Sequence, residues 1–185
     1  MLIDDINPKR ITLYDMRMAS GKTGSSITRL CGITYRSLRN WEKGTALPNI
    51  VNVHDLLQIY GYSYYELDFT PLYKGTNQDE KQKRIDAAAI KRTAAGTPQR
   101  FLSLKGMRQQ SGFSAATVAK LCGVTYRSIR NWEEGKSIPN VTVVNDLLTI
   151  YGYSFYEMDF AFVLRKIRGT FKEKEGTGRT DRQSI

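Results

Sequence analysis

The chain has 185 residues but only two cysteines, one histidine and five prolines. Cys31 and Cys122 are too few for a disulfide framework. They occupy equivalent places in a repeat described below, so they are expected in two separate cores as free thiols acting as small hydrophobes. A single histidine, His54, cannot build a metal cluster or a catalytic dyad in either repeat. Its equivalent in the second copy is Asn145, which points to an exposed helix position. Nothing supplies a nucleophile–base pair, a phosphate loop or a metal ligand set. The expectation is therefore no catalytic residue, no metal, no cofactor and no enzyme. No run approaches the roughly 18 apolar residues of a membrane helix, and the Met1–Asp5 start lacks the basic and apolar stretches of a secretory signal. These features point to a cytoplasmic chain without a membrane partner.

Acidic residues are also in deficit, 18 against 28 basic ones, for a net charge of +10. Such a balance suggests a polyanionic partner. Residues 1–70 carry 8 basic and 7 acidic groups, and residues 101–160 carry 6 and 5, so each of these stretches is nearly neutral. Residues 71–100 and 161–185 each hold 7 basic and 3 acidic groups. The excess thus lies between and after the near-neutral stretches, and any nucleic-acid reading within them must rest on local charge placement.

What is present in abundance is self-similarity. CGITYRSLRNWE, from Cys31 to Glu42, recurs as CGVTYRSIRNWE from Cys122 to Glu133. YGYSYYELDF, from Tyr60, recurs as YGYSFYEMDF from Tyr151. Aligned without a gap at an offset of 91, residues 13–69 and 104–160 share 32 identities in 57 positions. One fold is made twice.

Each copy reads as five short helices, and strand signals are weak. The first helix spans about 10–20 and stops at Ser20-Gly21. A second runs from Thr23 to Cys31 and ends at Gly32, and a third, capped by Thr34, runs through Lys43 to Gly44. Asn49 caps a fourth helix with Ile50, Val53, Leu56, Leu57 and Tyr60 at helical spacing. The pair Ser63 and Glu66 has the spacing of a capping box and predicts a fifth helix with Leu67 and Phe69. The second copy repeats the signals at Ser114, Gly123, Thr125, Gly135, Asn140 and the Ser154–Glu157 box. The expected class is all-α, with domains over 10–70 and 101–161, a basic and partly helical linker over 71–100, and a basic tail over 162–185 that ends in disorder. Asp79 to Arg92 supplies the helix-forming part of the linker.

A short helix, a glycine turn and a second short helix form the helix-turn-helix pattern. The Leu30-Cys31-Gly32-Ile33-Thr34 turn, Ser37-Leu38, Trp41-Glu42 with Gly44, Pro48, Tyr60 to Ser63 and Glu66-Leu67 together resemble the Cro and lambda-repressor type of domain, the Xre family. The resemblance covers about 10–69 and 101–160. It implies two five-helix domains in tandem that bind double-stranded DNA, each placing its third helix in the major groove. By position, the residues implied to contact bases are Tyr35, Arg36 and Asn40, with Tyr126, Arg127 and Asn131 in the second copy. Arg can fork onto guanine, Asn can pair with adenine, and a Tyr edge can meet a thymine methyl. Arg39 and Arg130 can reach a base or a phosphate. Thr23, Ser37 and Lys43, with Ser114, Ser128 and Lys136, are placed on phosphates. Lys43 is replaced by Glu134 in the second copy, where Lys136 is a candidate substitute. Arg17–Glu42 and Arg108–Glu133 match the pair that ties the first and third helices of this type of domain. Tyr60, Tyr62, Tyr64 and Tyr65 fall where such domains have core or dimer contacts.

Proteins of this type pair by two-fold symmetry, so a homodimer is one expectation. Here two domains are covalently tied. A flexible connector of about thirty residues spans roughly 30 Å r.m.s., close to the ~34 Å between half-sites on one face of DNA. The expected function is a transcriptional regulator, a repressor or autorepressor because no activation surface or sensor domain is visible, reading two similar half-sites. The alternative is a phage or mobile-element protein that uses the domains and the basic tail to bind and inhibit a protein or ribonucleoprotein complex.

Overall fold

Short polar side chains begin nearly every helix, each accepting a hydrogen bond from a backbone N–H of the first turn, as orphan amides require. In this computed structural model, which describes residues 10–73, 78–89 and 102–159, Thr12 caps α1 (Leu13–Ala19), Thr23 caps α2 (Gly24–Cys31), Thr34 caps α3 (Tyr35–Glu42) and Asn49 caps α4 (Ile50–Tyr60). A 3-10 turn, Thr70–Tyr73, comes next, and then α5 (Gln78–Ala88) in the linker. Ser103, Ser114 and Thr125 cap α6 (Leu104–Gln110), α7 (Ala115–Cys122) and α8 (Tyr126–Glu133). The amide of Val143 in α9 (Val141–Tyr151) donates to the Asn140 side chain. Gly32 and Gly123 close α2 and α7 in the left-handed conformation. The described residues form nine α-helices and no named strand, and none of these helices is long and apolar enough to cross a membrane.

Two expectations are corrected. The first helix begins at Leu13 rather than Arg10, because Ile11 is extended and bridges Leu67, with Ile11 N donating to Glu66 O and Asp68 N to Ile11 O. The fifth helix of each copy does not form. The glutamate half of each capping box closes, Ser63 N donating to the Glu66 carboxylate and Ser154 N to that of Glu157. Beyond the boxes the chain makes only a turn in the first copy and the 3-10 turn Phe155–Glu157 in the second. The Ile11–Leu67 and Leu102–Met158 bridges pull the chain into extended backbone before a helix can propagate.

The chain divides into two compact units, Met1–Gln82 with Pro139–Asp146, and Lys83–Ile138 with Leu147–Ile185. The core of the first unit includes Leu13, Met16, Ile27, Leu38, Val53, Leu56 and Leu57, each at most 2% exposed. Such a side chain contributes about 1.5–3 kcal/mol on burial. Within this unit, equivalent positions exchange backbone hydrogen bonds: Ile50 N donates to Pro139 O, and Val141 N to Pro48 O, around an antiparallel bridge between Asn49 and Asn140. The linker is also anchored here rather than free. Tyr73 donates its one hydroxyl hydrogen to Asp146 Oδ1 at 2.8 Å, with Thr142 O farther off at 3.3 Å, and Lys81 Nζ lies 2.6 Å from the Asp146 carboxylate, which is 2% exposed. Tyr73 and Lys81 are therefore held in place, unlike residues of the random coil assumed for the span estimate. In the second unit, Met107, Val118, Cys122, Ile129, Leu147 and Leu148 are buried. Ser111 Oγ ties α6 to the end of α9 at Tyr151 O.

Gly44 shows why the turn after α3 needs glycine. Its φ is +69°, and an added Cβ would lie 2.2 Å from the Pro71 carbonyl oxygen. Gly61 has a similar φ of +80° but open space around it. We expect Gly61→Ala to cost about 1 kcal/mol, the left-handed penalty alone, and Gly44→Ala about 2–4 kcal/mol because backbone must also move. Urea unfolding of the two variants checks this, and equal losses would refute the close approach.

Candidate nucleic-acid interface

The sequence of α3 sorts its side chains by spacing. Leu38 and Trp41 face inward, 0% and 8% exposed, while Tyr35 and Arg36 are exposed and Arg39 and Asn40 half-exposed. Helix α8 repeats this with Ile129 buried, Trp132 half-buried, Tyr126 and Arg127 exposed, and Arg130 and Asn131 half-exposed. The four residue types expected at base edges thus share the outward surface of each third helix. Helical spacing alone requires this once the inner face is packed.

A buried charge pair fixes each third helix. Arg17 on α1 donates through Nε and Nη2 to both carboxylate oxygens of Glu42, at 2.5 and 3.3 Å, and through Nη1 to Lys22 O. Arg108 does the same to Glu133, at 2.5 and 3.1 Å, and to Phe113 O. Both guanidiniums are held above their ordinary range, chiefly by the hydrogen bond to that glutamate. The first pair is capped by the Tyr14 ring, 5.2 Å from Arg17 Cζ. Tyr60 and Tyr151 lie in the same cores, and burial pushes both hydroxyls well above the usual phenol range.

The residues expected at phosphates divide into two kinds. Thr23 and Ser114 are exposed and act as N-caps of α2 and α7, so hydroxyl and free first-turn amides share one end of each helix. Ser37 and Ser128 are half-buried, their hydroxyls 2.9 and 2.8 Å from the capping Thr34 and Thr125 hydroxyls. A phosphate contact there has to share an oxygen already in use. Lys43 ends α3, exposed. Lys136 is exposed too, but its Nζ is 2.7 Å from Glu134.

Around these matched surfaces the copies differ in ways that motif reading missed. Glu134 also accepts from Arg130 Nη2 at 2.8 Å. Arg39 has Glu42 at 3.6 Å and a lysine where Glu134 stands. The Tyr35 ring lies over α2 so closely that a Cβ on Gly24 would be 2.6 Å from its Cε2, and the equivalent of Gly24 is Ala115. Both exchanges are visible in an internal alignment, and the structure shows that Glu134 engages Arg130 and that Gly24 lies against the Tyr35 ring. His54, expected on the surface, is half-buried, with its ring stacked at 6.4 Å on Tyr64, and burial lowers its pKa. Cys122 is buried and Cys31 half-buried, both as free thiols.

With this geometry in place, residues 104–158 match the helix-turn-helix family model HTH_3. The matched segment runs from the first residue of α6 to the bridge residue Met158, and the family is one of DNA-binding regulatory domains, generally without catalysis. No curated protein and no solved structure matches the chain. The all-helical structure is consistent with that family's fold. Over 104–158, then, the chain is similar to this family of helix-turn-helix domains.

Removing Arg17 leaves the Glu42 carboxylate, 1% exposed, buried without its partner. We expect Arg17→Ala to lower unfolding free energy by about 3–5 kcal/mol. Arg39→Ala removes a 39%-exposed partner at 3.6 Å and should change stability by about 0.5 kcal/mol or less. Denaturant titration separates the two, and a similar loss in both would remove the buried pair as the tie between α1 and α3.

Proposed function

We propose that the chain is a sequence-specific, double-stranded-DNA-binding transcriptional regulator of repressor or autorepressor type. It reads two similar half-sites, one through α3 and one through α8. The observation that carries this reading is the outward Tyr-Arg-x-x-Arg-Asn surface, identical in both copies and backed in each by a buried Arg–Glu pair. A rigid helix presenting Arg and Asn outward meets the donor and acceptor pattern of guanine and adenine in the major groove. Tandem reading is supported by the 32 identities that relate 13–69 to 104–160, which includes the segment matching the helix-turn-helix family. A chain that carries two readers can act as its own pseudo-dimer on two adjacent half-sites.

In this reading Arg36 and Arg127 fork onto guanine. Tyr35, Tyr126, Asn40 and Asn131 complete the base contacts, and Arg39 and Arg130 reach a base or a phosphate. Thr23, Ser114, Ser37, Ser128, Lys43 and Lys136 set register on the backbone. The domains of this reading are residues 10–70 and 101–161, joined by the basic linker 71–100. The basic tail 162–185 adds affinity without sequence information, and it lies outside the described residues.

Selection of binding duplexes from random DNA tests the reading, with an enriched motif built on two related half-sites expected. Arg36→Ala and Arg127→Ala should each cost about 1–3 kcal/mol and relax preference at one base pair of one half-site. Unchanged affinity and base preference in both variants would withdraw the reading surface. Failure to enrich any motif would withdraw the function.

A further inference from the structure

The two third helices carry the same reading residues in different electrostatic settings. At the end of α3 the C-cap is Lys43, while at the end of α8 it is Glu134. Helix electrostatics favours a cation at this terminus and opposes a carboxylate. An Arg placed four residues before a Glu is also the less favourable order for a helix pair. The helix dipole works against Glu134 and the order of the pair favours it less, so only its ion pairs offset this. What Glu134 does in the structure is bind two cations, Oε1 accepting from Arg130 Nη2 at 2.8 Å and Oε2 from Lys136 Nζ at 2.7 Å. Lys136 first, and Arg130 after it, hold this carboxylate below its usual range. Arg130 is a candidate base or phosphate contact and Lys136 a phosphate contact, so one glutamate engages two of the cations that would face DNA. In the first copy Arg39 keeps only the 3.6 Å approach to Glu42, and Lys43 adds charge of the sign that phosphates attract.

A second difference acts on the first residue of each third helix. Tyr35 lies against Gly24, where any Cβ would meet its ring at 2.6 Å. Ala115 has that Cβ, so the ring position of Tyr35 is closed to Tyr126.

We propose that α8 is the weaker and more permissive reader, that Glu134 is the residue that makes it so by holding Arg130 and Lys136, and that the natural target pairs one stringent half-site with one degenerate half-site. The proposal rests on the DNA-reading function above. Ala115 is a positioning residue in the same sense, acting through Tyr126.

The test uses the full chain and the duplex pool enriched by the wild type. That pool should contain one half-site of sharp preference and one of loose preference, with Arg127→Ala relaxing only the loose one. Glu134→Lys should tighten binding about fivefold near 0.1 M salt and steepen the salt slope by about one to two. It should also sharpen base preference in the loose half-site. Glu134→Gln, which removes the charge without adding another, should give a smaller change in the same direction, and Lys43→Glu should weaken and loosen the other half-site. All three substitutions are at solvent-facing helix ends, and thermal melts establish that each variant is folded. Two equally sharp half-sites, or Glu134→Lys and Glu134→Gln that leave affinity, slope and preference unchanged, overturn this proposal while DNA reading stands. No enriched motif with the wild type overturns the DNA-reading function itself, and this proposal with it.

Discussion

The buried bidentate pair between the first and third helices is the constraint on which the rest of each copy depends. A guanidinium and a carboxylate taken out of water are costly unless their geometry is satisfied on all sides. Here Arg17 engages both oxygens of Glu42 and a backbone carbonyl, and Arg108 repeats this with Glu133 and Phe113. The glutamate is the last residue of the third helix and the aromatic before it is packed inward. Fixing that residue fixes the rotation of the helix about its axis. Rotation decides which residues face out, so the ion pair acts together with the packed inner face to set the outward side chains of the third helix.

Matching residues on matching helices need not make matching surfaces. The outward side chains of α3 and α8 are the same, but long flexible cations take their aim from whatever lies within a few ångströms. A glutamate one turn beyond Arg130, and an alanine where the first copy has Gly24 against Tyr35, are small changes in sequence that alter the surroundings of the same outward side chains. A duplicated domain can diverge in this way without any change in the outward Tyr-Arg-x-x-Arg-Asn residues themselves.

Much was legible in the sequence because the signals are short-range. Thr23, Thr34 and Asn49 cap helices where expected, since a hydroxyl or amide three residues before a free amide is a local arrangement. The inward places of Leu38 and Ile129 follow from helical periodicity. The same short range explains the misreadings. Ser63–Glu66 and Ser154–Glu157 satisfy the local rule for a helix start, but bridges from Ile11 and Leu102 claim the backbone that would continue it. Comparison of His54 with its equivalent Asn145 contains nothing about the Tyr64 ring stacked on it.

By itself, then, the sequence determined that the chain is helical, that one fold occurs twice, where the helices begin, and which side chains a packed third helix turns outward. Each of these depends on residues no more than a few positions apart or on comparison of the chain with itself. Tertiary structure alone decided the rest. It halted the fifth helices, anchored the linker through Tyr73 and Lys81 on the buried Asp146, and laid Tyr35 on Gly24. Tyr73 and Asp146 are 73 residues apart in the chain. Contacts over such separations depend on how whole elements pack, and no local pattern of residue types encodes that packing.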